Sequence, residues 1–330
     1  MKITVLGAGS WGTTLAALLS DNGHEVIIWE FDSKRAQDLQ SRKIKPFAAG
    51  VDLPEKIFVT SGFDSFKDSQ AVLFVVPSQF MRSTCELLKK NGISLEGKLI
   101  INATKGIENN TLLRMSEVID AVFPGSYENT AVLSGPSHAE EVCRKIPTAV
   151  TAAAKNPDIA EKCRTLFMNE YFRVYNQDDI VGVETGAALK NVFAIASGIV
   201  DGLKFGDNTK AAIVSRGLKE LTRIGVALGG KEETFYGLSG IGDLMVTCFS
   251  KHSRNRAVGQ SLGEGKNAAE AEKNLGMVAE GVKNAVSAYE IGKKLNVELP
   301  IICEVYNILF NARDPKDAVN ALMTREPKHE

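Results

Sequence analysis

The chain has 330 residues, enough for two domains with a large core, and its 39 Lys and Arg against 40 Asp and Glu leave a net charge of −1. With 44% apolar and 24% charged residues, this is the composition of a globular protein and speaks against a bulk nucleic-acid or membrane-surface binder. No nucleic-acid partner is expected; an anionic small substrate would need only a local cluster of cations.

In chain order, Lys2–Leu6 reads as a buried strand and hands over to Gly7-Ala8-Gly9-Ser10-Trp11-Gly12. A helix, Trp11–Asn22, ends at Gly23, and the next strand, Glu25–Trp29, leads to the acids Glu30 and Asp32. Strand, Gly-x-Gly-x-x-Gly, helix, strand and acid in that order form a dinucleotide-binding βαβ unit. Gly7 permits the turn, Gly9 admits a pyrophosphate to the backbone, and Gly12 lets helix and strand pack closely. The helix-start N–H groups, with those of Ser10 and Trp11, would meet the pyrophosphate. Glu30 or Asp32 suits the free 2′-hydroxyl of NAD, whereas Lys34 or Arg35 suits the 2′-phosphate of NADP, so NAD or NADP is expected as cofactor.

Further strands are expected at Ile57–Thr60, Ala71–Val76, Leu99–Asn102, Ala131–Leu133, Thr148–Ala153 and Phe172–Tyr175, with helices such as Met81–Asn91, Thr111–Phe123 and Pro157–Met168 between them. Apolar strands alternating with helices imply an α/β, Rossmann-type, doubly wound and mostly parallel sheet. Ligands then bind at the carboxyl ends of the strands, which draws attention to Lys105 after the fifth strand and to the Ser134-Gly135-Pro136-Ser137 turn after the sixth. Ser137 with Glu140 fits a capping box, and that helix start could also hold a substrate oxygen.

From Val181 the pattern is helical: Val181–Leu203, Asn208–Leu228, Glu232–Gly237, Gly240–Cys248, Asn255–Glu264, Ala268–Leu275, Glu280–Lys294 and Pro300–Phe310. The expected organisation is therefore a Rossmann domain over 1–180 and an all-α domain over 181–330. Lys190 lies amid Gly186, Ala187, Phe193 and Ala194, where a lysine is costly to bury. Either it snorkels at the helix edge, or it is partly desolvated, drawn from its ~10.4 reference toward ~7–8, and able to serve as a general acid or base. Asp243, between glycines and apolar residues, could accept from such a lysine or cap a helix. Ser253-Arg254-Asn255-Arg256 suits a phosphate, or simply a solvated helix start.

Cys85, Cys143, Cys163, Cys248 and Cys303 form no Cys-x-x-Cys pair, so a reducing, cytoplasmic setting fits better than a disulfide framework. The four histidines lack ligand spacing, and no metal site is expected. With the first strand read from Lys2 onward, no signal peptide is expected. The longest apolar-rich helix, around Val192–Val200, reads as too short and too rich in Gly and Ala to span a bilayer, so no integral membrane segment is expected.

Together, Gly7–Gly12, Val75-Val76-Pro77-Ser78, Ala103-Thr104-Lys105-Gly106, Ser134-Gly135-Pro136, Glu184 through Lys190-Asn191-Val192, Gly240–Leu244, Ser253–Arg256 and Val278-Ala279-Glu280-Gly281 resemble bacterial-type NAD(P)-dependent glycerol-3-phosphate dehydrogenase, over nearly the whole chain. The resemblance implies hydride transfer between NAD(P)H and dihydroxyacetone phosphate, giving sn-glycerol 3-phosphate for phospholipid synthesis. It implies that Ser10, Trp11, Phe31, Lys105, Ala139, Arg254, Val278 and Glu280 contact the nucleotide, with Gly7, Gly9 and Gly12 shaping its loop. Lys105, Gly135, Ser137, Lys190, Asp243, Ser253, Arg254 and Asn255 would surround the substrate. Lys190 would be the proton acceptor, Lys105 an oxyanion stabiliser, and Asp243 the residue orienting Lys190. A homodimer is expected from the apolar helical half. A related β-hydroxyacid dehydrogenase and a nucleotide-sensing module without turnover are the alternatives, and the Ser253–Arg256 cations tell against the first.

Overall fold

The structure is a computed structural model and describes residues 1–44, 53–273, 279–327 and 329. Its described residues form two compact units: Met1–Lys105 with Leu113–Glu184, and Gly106–Leu112 with Thr185–Glu330.

The first unit is built on strands β1 (Lys2–Leu6), β2 (Glu25–Trp29), β3 (Phe58–Thr60), β4 (Ala71–Phe74), β5 (Leu99–Asn102), β6 (Thr130–Ser134), β7 (Thr148–Ala154) and β8 (Phe172–Gln177). They form one sheet in the order β3-β2-β1-β4-β5-β6-β7-β8. All neighbours are parallel except β6 and β7, where Val132 pairs with Ala153 and Leu133 with Ala152 in antiparallel register. Strand order reverses between β1 and β4, which is where an open α/β sheet binds its ligand. Helices α1 (Ser10–Asp21), α2 (Ser33–Gln40), α3 (Met81–Lys90), α4 (Met115–Val122), α5 (Ala139–Val142) and α6 (Pro157–Phe167) complete this unit. Separate apolar cores cover the sheet: Leu15, Ile28 and Phe167 belong to one, and Phe66, Phe74 and Met81 to another.

The expected helix over 111–123 begins four residues later. At the N-terminus of α4 the Glu117 carboxylate accepts the Arg114 N–H at 2.9 Å, and Leu112 has a φ of +61°, which an α-helix does not accommodate. Helix α2 has only Ala36 and Leu39 buried, too few to leave a periodic signal, yet Asp32 caps it through the Arg35 N–H.

The second unit holds most of α7 (Ile180–Gly202), together with α8 (Asp207–Ala227), α9 (Asp243–Phe249), α10 (Arg254–Gly263), α11 (Ala268–Lys273), α12 (Glu280–Leu295), α13 (Pro300–Phe310) and α14 (Pro315–Met323). The end of the expected Ala268–Leu275 helix lies outside the described residues. Glu232–Tyr236 is a 3₁₀ rather than an α segment, and a π-helical turn, Leu238–Gly242, precedes α9. Phe193, Leu221, Phe235 and Ile302 anchor the apolar core. Contrary to the expectation for Val192–Val200, α7 is 23 residues long and apolar enough to cross a membrane; 94% of its apolar window is nevertheless buried inside the protein, as in a core helix.

Candidate active site

At the end of β1, Gly7 holds a φ of +108° while its N–H donates to Trp29 O at 2.9 Å. A Cβ on Gly12 would stand 2.0 Å from Gly7 O, so only glycine lets α1 start this close to the strand. A Cβ on Gly9 would meet nothing within 4 Å, which is open backbone on the side a pyrophosphate needs. No side chain caps α1 at Gly9, so the first turn, with Ser10 and Trp11, has the uncapped N–H groups that suit an anion. Trp11 Nε1 is buried without a hydrogen-bond partner among the described residues, a donor that a ligand or water can satisfy. The loop therefore fits a dinucleotide. Phe31, just past β2, is 75% exposed and meets Trp29 edge-on at 6.4 Å.

Lys105 follows β5 by three residues. Its Nζ donates to Gly135 O at 3.1 Å and lies 3.4 Å from Ser137 Oγ, whose hydroxyl donates to Gly135 O at 2.8 Å. Three of the expected substrate residues are thus brought together at the ends of β5 and β6. The expected capping box of Ser137 and Glu140 does not form. α5 starts one residue later, with His138 at its N-cap and no side-chain bond, because the Ser137 hydroxyl is turned toward Gly135. Ala139 is the first residue of α5 and is buried.

Beside them Glu184, 4% exposed, accepts from Asn102 Nδ2 at 3.0 Å, from Arg114 Nη1 at 2.6 Å and from the Ser116 N–H at 2.9 Å. Burial works against the charge of Arg114, but Glu184 and Glu117 outweigh it and raise its pKa above the ordinary value. This cluster fixes the first turn of α7 to the end of β5.

Within the second unit, Lys190 is 6% and Asp243 1% exposed. The Lys190 ammonium is ion-paired to Asp243 Oδ1 and donates to Thr247 Oγ1 at 2.8 Å; the Thr247 hydroxyl donates back to Asp243 O at 2.6 Å. The snorkelling alternative is thereby excluded: the head of Lys190 is turned inward to an acid. Asp243 opens α9 immediately after the π turn, whose Gly240 lies so close to Phe235 that a Cβ would be 2.0 Å from its carbonyl oxygen. Thr247 was not singled out from the sequence. The available signal was its i,i+4 spacing from Asp243, which puts both on one face of a helix.

The Ser253–Arg256 cluster divides. Ser253, 5% exposed, caps α10 by accepting from the Arg256 N–H at 3.2 Å. Arg256 Nε pairs with Asp201 at 2.6 Å, and Lys210 pairs with the same carboxylate at 2.6 Å. The side chain of Arg254 is exposed at the start of α10. Asn255 Nδ2 donates to Asn191 Oδ1 at 2.9 Å, while its Oδ1 accepts the Gly281 N–H at 2.9 Å, so it ties α7, α10 and α12 together. Glu280 is the half-buried first residue of α12, and Val278 lies outside the described residues. Burial pushes the thiols of Cys163 and Cys248 up to about 12, which makes both poor nucleophiles.

Two family models match: the N-terminus of NAD-dependent glycerol-3-phosphate dehydrogenase over residues 2–160, and its C-terminus over residues 179–320. The chain is 47% identical to a glycerol-3-phosphate dehydrogenase (NAD(P)+) of Fusobacterium nucleatum, an alignment covering 100% of this chain and 98% of that one. A crystal structure of glycerol-3-phosphate dehydrogenase from Coxiella burnetii superposes with a TM-score of 0.90 at 36% identity over 98% of both chains. The yeast enzyme from Saccharomyces superposes with a TM-score of 0.81 at 29% identity, covering 97% of this chain and 98% of that one. With both halves matched in order and full-length relatives far above the similarity of a shared fold alone, the chain belongs to the NAD-dependent glycerol-3-phosphate dehydrogenase family.

Proposed function

We propose that this chain interconverts sn-glycerol 3-phosphate and dihydroxyacetone phosphate with NAD(P), using Lys190 as its proton acceptor and donor. The observation that carries the reading is the buried Lys190–Asp243–Thr247 arrangement in a chain of this family. When bound, the nicotinamide supplies or accepts the hydride at C2. Lys190, neutral in the oxidation direction, takes the proton of the C2 hydroxyl; charged, it returns that proton in reduction. Asp243 stabilises the charged form, and Thr247 holds Nζ in one orientation. Lys105, with Gly135 and Ser137, stabilises oxygen charge as it develops on the substrate. Ser253, Arg254 and Asn255 take the phosphate, with Arg254 supplying the charge-assisted bond. Gly7, Gly9, Ser10, Trp11 and Gly12 carry the dinucleotide, and Phe31, Ala139, Val278 and Glu280 contact it.

A homodimer, a cytoplasmic location and a supply of glycerol phosphate for phospholipid synthesis complete the reading. The apolar helical unit supports the first, and the wide spacing of the five cysteines the second. Sedimentation velocity tests the dimer. Following the absorbance of NADH and of NADPH with dihydroxyacetone phosphate tests the activity, and Lys190→Met tests the mechanism. The variant should lose kcat far more than cofactor affinity; an unchanged kcat refutes its role.

A further inference from the structure

Four charged side chains after β2 compete for the ribose end of the dinucleotide, and their hydrogen bonds sort them. Asp32 is occupied as the N-cap of α2, its Oδ1 accepting the Arg35 N–H at 2.9 Å. Lys34 is exposed on the first turn of that helix. The side chain of Glu30 is only 15% exposed and reaches back under the glycine loop. Its Oε2 accepts the Ala8 N–H at 3.3 Å, and its Oε1 accepts the Asp32 N–H at 3.2 Å. Arg35 also turns inward: Nη2 donates to Ala8 O at 3.2 Å and Nε stands 3.5 Å from Glu30 Oε2. The guanidinium that could have received a 2′-phosphate is therefore oriented by protein acceptors, and the carboxylate is held where the ribose of a Rossmann-bound dinucleotide lies.

We propose that Glu30 makes this enzyme selective for NAD(H) over NADP(H), with Arg35 positioning Glu30 rather than receiving a 2′-phosphate. A carboxylate accepts a bond from a ribose hydroxyl, and the same carboxylate repels a phosphate ester in its place. Fixing by the Ala8 N–H and by Arg35 strengthens the discrimination, because Glu30 cannot swing away from the added charge without giving up those bonds. The inference rests on the dinucleotide reading of the Gly7–Gly12 loop and deepens it by choosing between two ligands.

The test is isothermal titration of the full chain with NADH and with NADPH, in the absence of substrate, alongside turnover of dihydroxyacetone phosphate. Wild type should bind NADH about 30-fold or more tightly than NADPH, corresponding to about 2 kcal/mol. Glu30→Gln should shrink that ratio at least about tenfold, by weakening NADH and strengthening NADPH. Arg35→Met should weaken NADH without a selective loss of NADPH. Equal affinities in wild type, or a selective loss of NADPH in Arg35→Met, would overturn the proposal while leaving the dinucleotide site intact. Wild-type protein that binds neither compound would overturn the site itself and this inference with it. Should Glu30→Gln fail to fold, the wild-type ratio and Arg35→Met still decide the matter.

Discussion

Replacing Asp243 by Asn probes the buried pair with almost no change of volume. Asp243 is 1% and Lys190 6% exposed, so little solvent screens the pair. A unit charge about 4 Å away at an effective dielectric near 20 contributes about 4 kcal/mol. At about 1.36 kcal/mol per pH unit, an interaction of that order corresponds to about three pH units. The 2.8 Å bond to Thr247 survives the substitution and moderates the loss, so a displacement of at least about one unit is expected. The sign follows from which form of Lys190 is favoured. Asp243 favours the charged lysine, and without it the proton leaves at lower pH. In glycerol phosphate oxidation, where the neutral amine is required, the midpoint of the rising kcat/KM profile should move down. In dihydroxyacetone phosphate reduction, the falling limb should move down equally. Steady-state profiles in both directions, with folding checked by near-ultraviolet circular dichroism, measure this. A variant that is folded and active with both midpoints unmoved, or moved upward, would refute the assignment of Lys190 as proton carrier under the influence of Asp243.

Three other outcomes follow from the same structure. Gly12→Ala places a methyl 2.0 Å from Gly7 O, so loop and helix must separate; NADH affinity in isothermal titration should fall at least about tenfold while the helical unit keeps its fold. Glu184→Ala leaves Arg114, 7% exposed, paired with the more exposed Glu117 but without its buried partner, and removes the acceptor of the Ser116 N–H, so urea unfolding should show a loss of about 3 kcal/mol; a loss below about 1 kcal/mol would contradict the buried-network reading. Burial raises Glu220 from 4.5 to about 7 despite the opposing N–H groups of Ile301 and Ile302, so the native state holds its proton more tightly than the unfolded chain. This contribution to stability is full below pH 4.5 and is lost as pH rises to about 7, at a cost of roughly 3 kcal/mol; Glu220→Gln should flatten that part of the stability profile measured by urea titration.

What could be read from the sequence was whatever depends on neighbours along the chain. Strands β1, β2 and β5 begin and end at the residues their apolar runs indicate, and the glycine loop has the turn its spacing requires. The expected gathering of Lys105, Gly135 and Ser137 followed from topology, since the carboxyl ends of adjacent parallel strands lie side by side. What was not legible depends on packing. The sequence shows a lysine in an apolar helix but not that Thr247 would be its second partner. It shows four polar residues at 253–256 but not that Arg256 is diverted to Asp201 and Asn255 to Asn191 and Gly281. Ser137 had the spacing of a cap, and a competing acceptor, Gly135 O, took its hydroxyl. Helix α14 has one buried residue, Ala318, and is started by the Asp314 cap and a proline in its first turn, features that carry little weight without an apolar stripe.

The two buried ion pairs invite the same explanation, but they differ in what surrounds them. The carboxylate of Glu184 accepts from a side-chain amide, a guanidinium, a hydroxyl and a backbone N–H, and Arg114 also joins the cap of α4. Such a saturated cluster is sufficiently explained by joining element ends. In the Lys190–Asp243 pair the lysine lies inside α7 and the acid opens α9 just after a π-helical turn, with the buried Leu189, Phe193 and Leu244 close to them in sequence. Apolar residues of similar size commonly match or exceed the stability of such a pair, by about 1–4 kcal/mol, so stability alone would favour Leu or Met at position 190. The π turn is a second local departure from regular packing, of a kind frequent at functional sites. Two unfavourable features that coincide at one acid, beside one amine, are what the proposed proton transfer by Lys190 would require. On the proposed reading, the helical unit rather than the glycine loop sets the reaction, since the loop shapes a dinucleotide site whereas an amine held by Asp243 and Thr247 suits proton transfer.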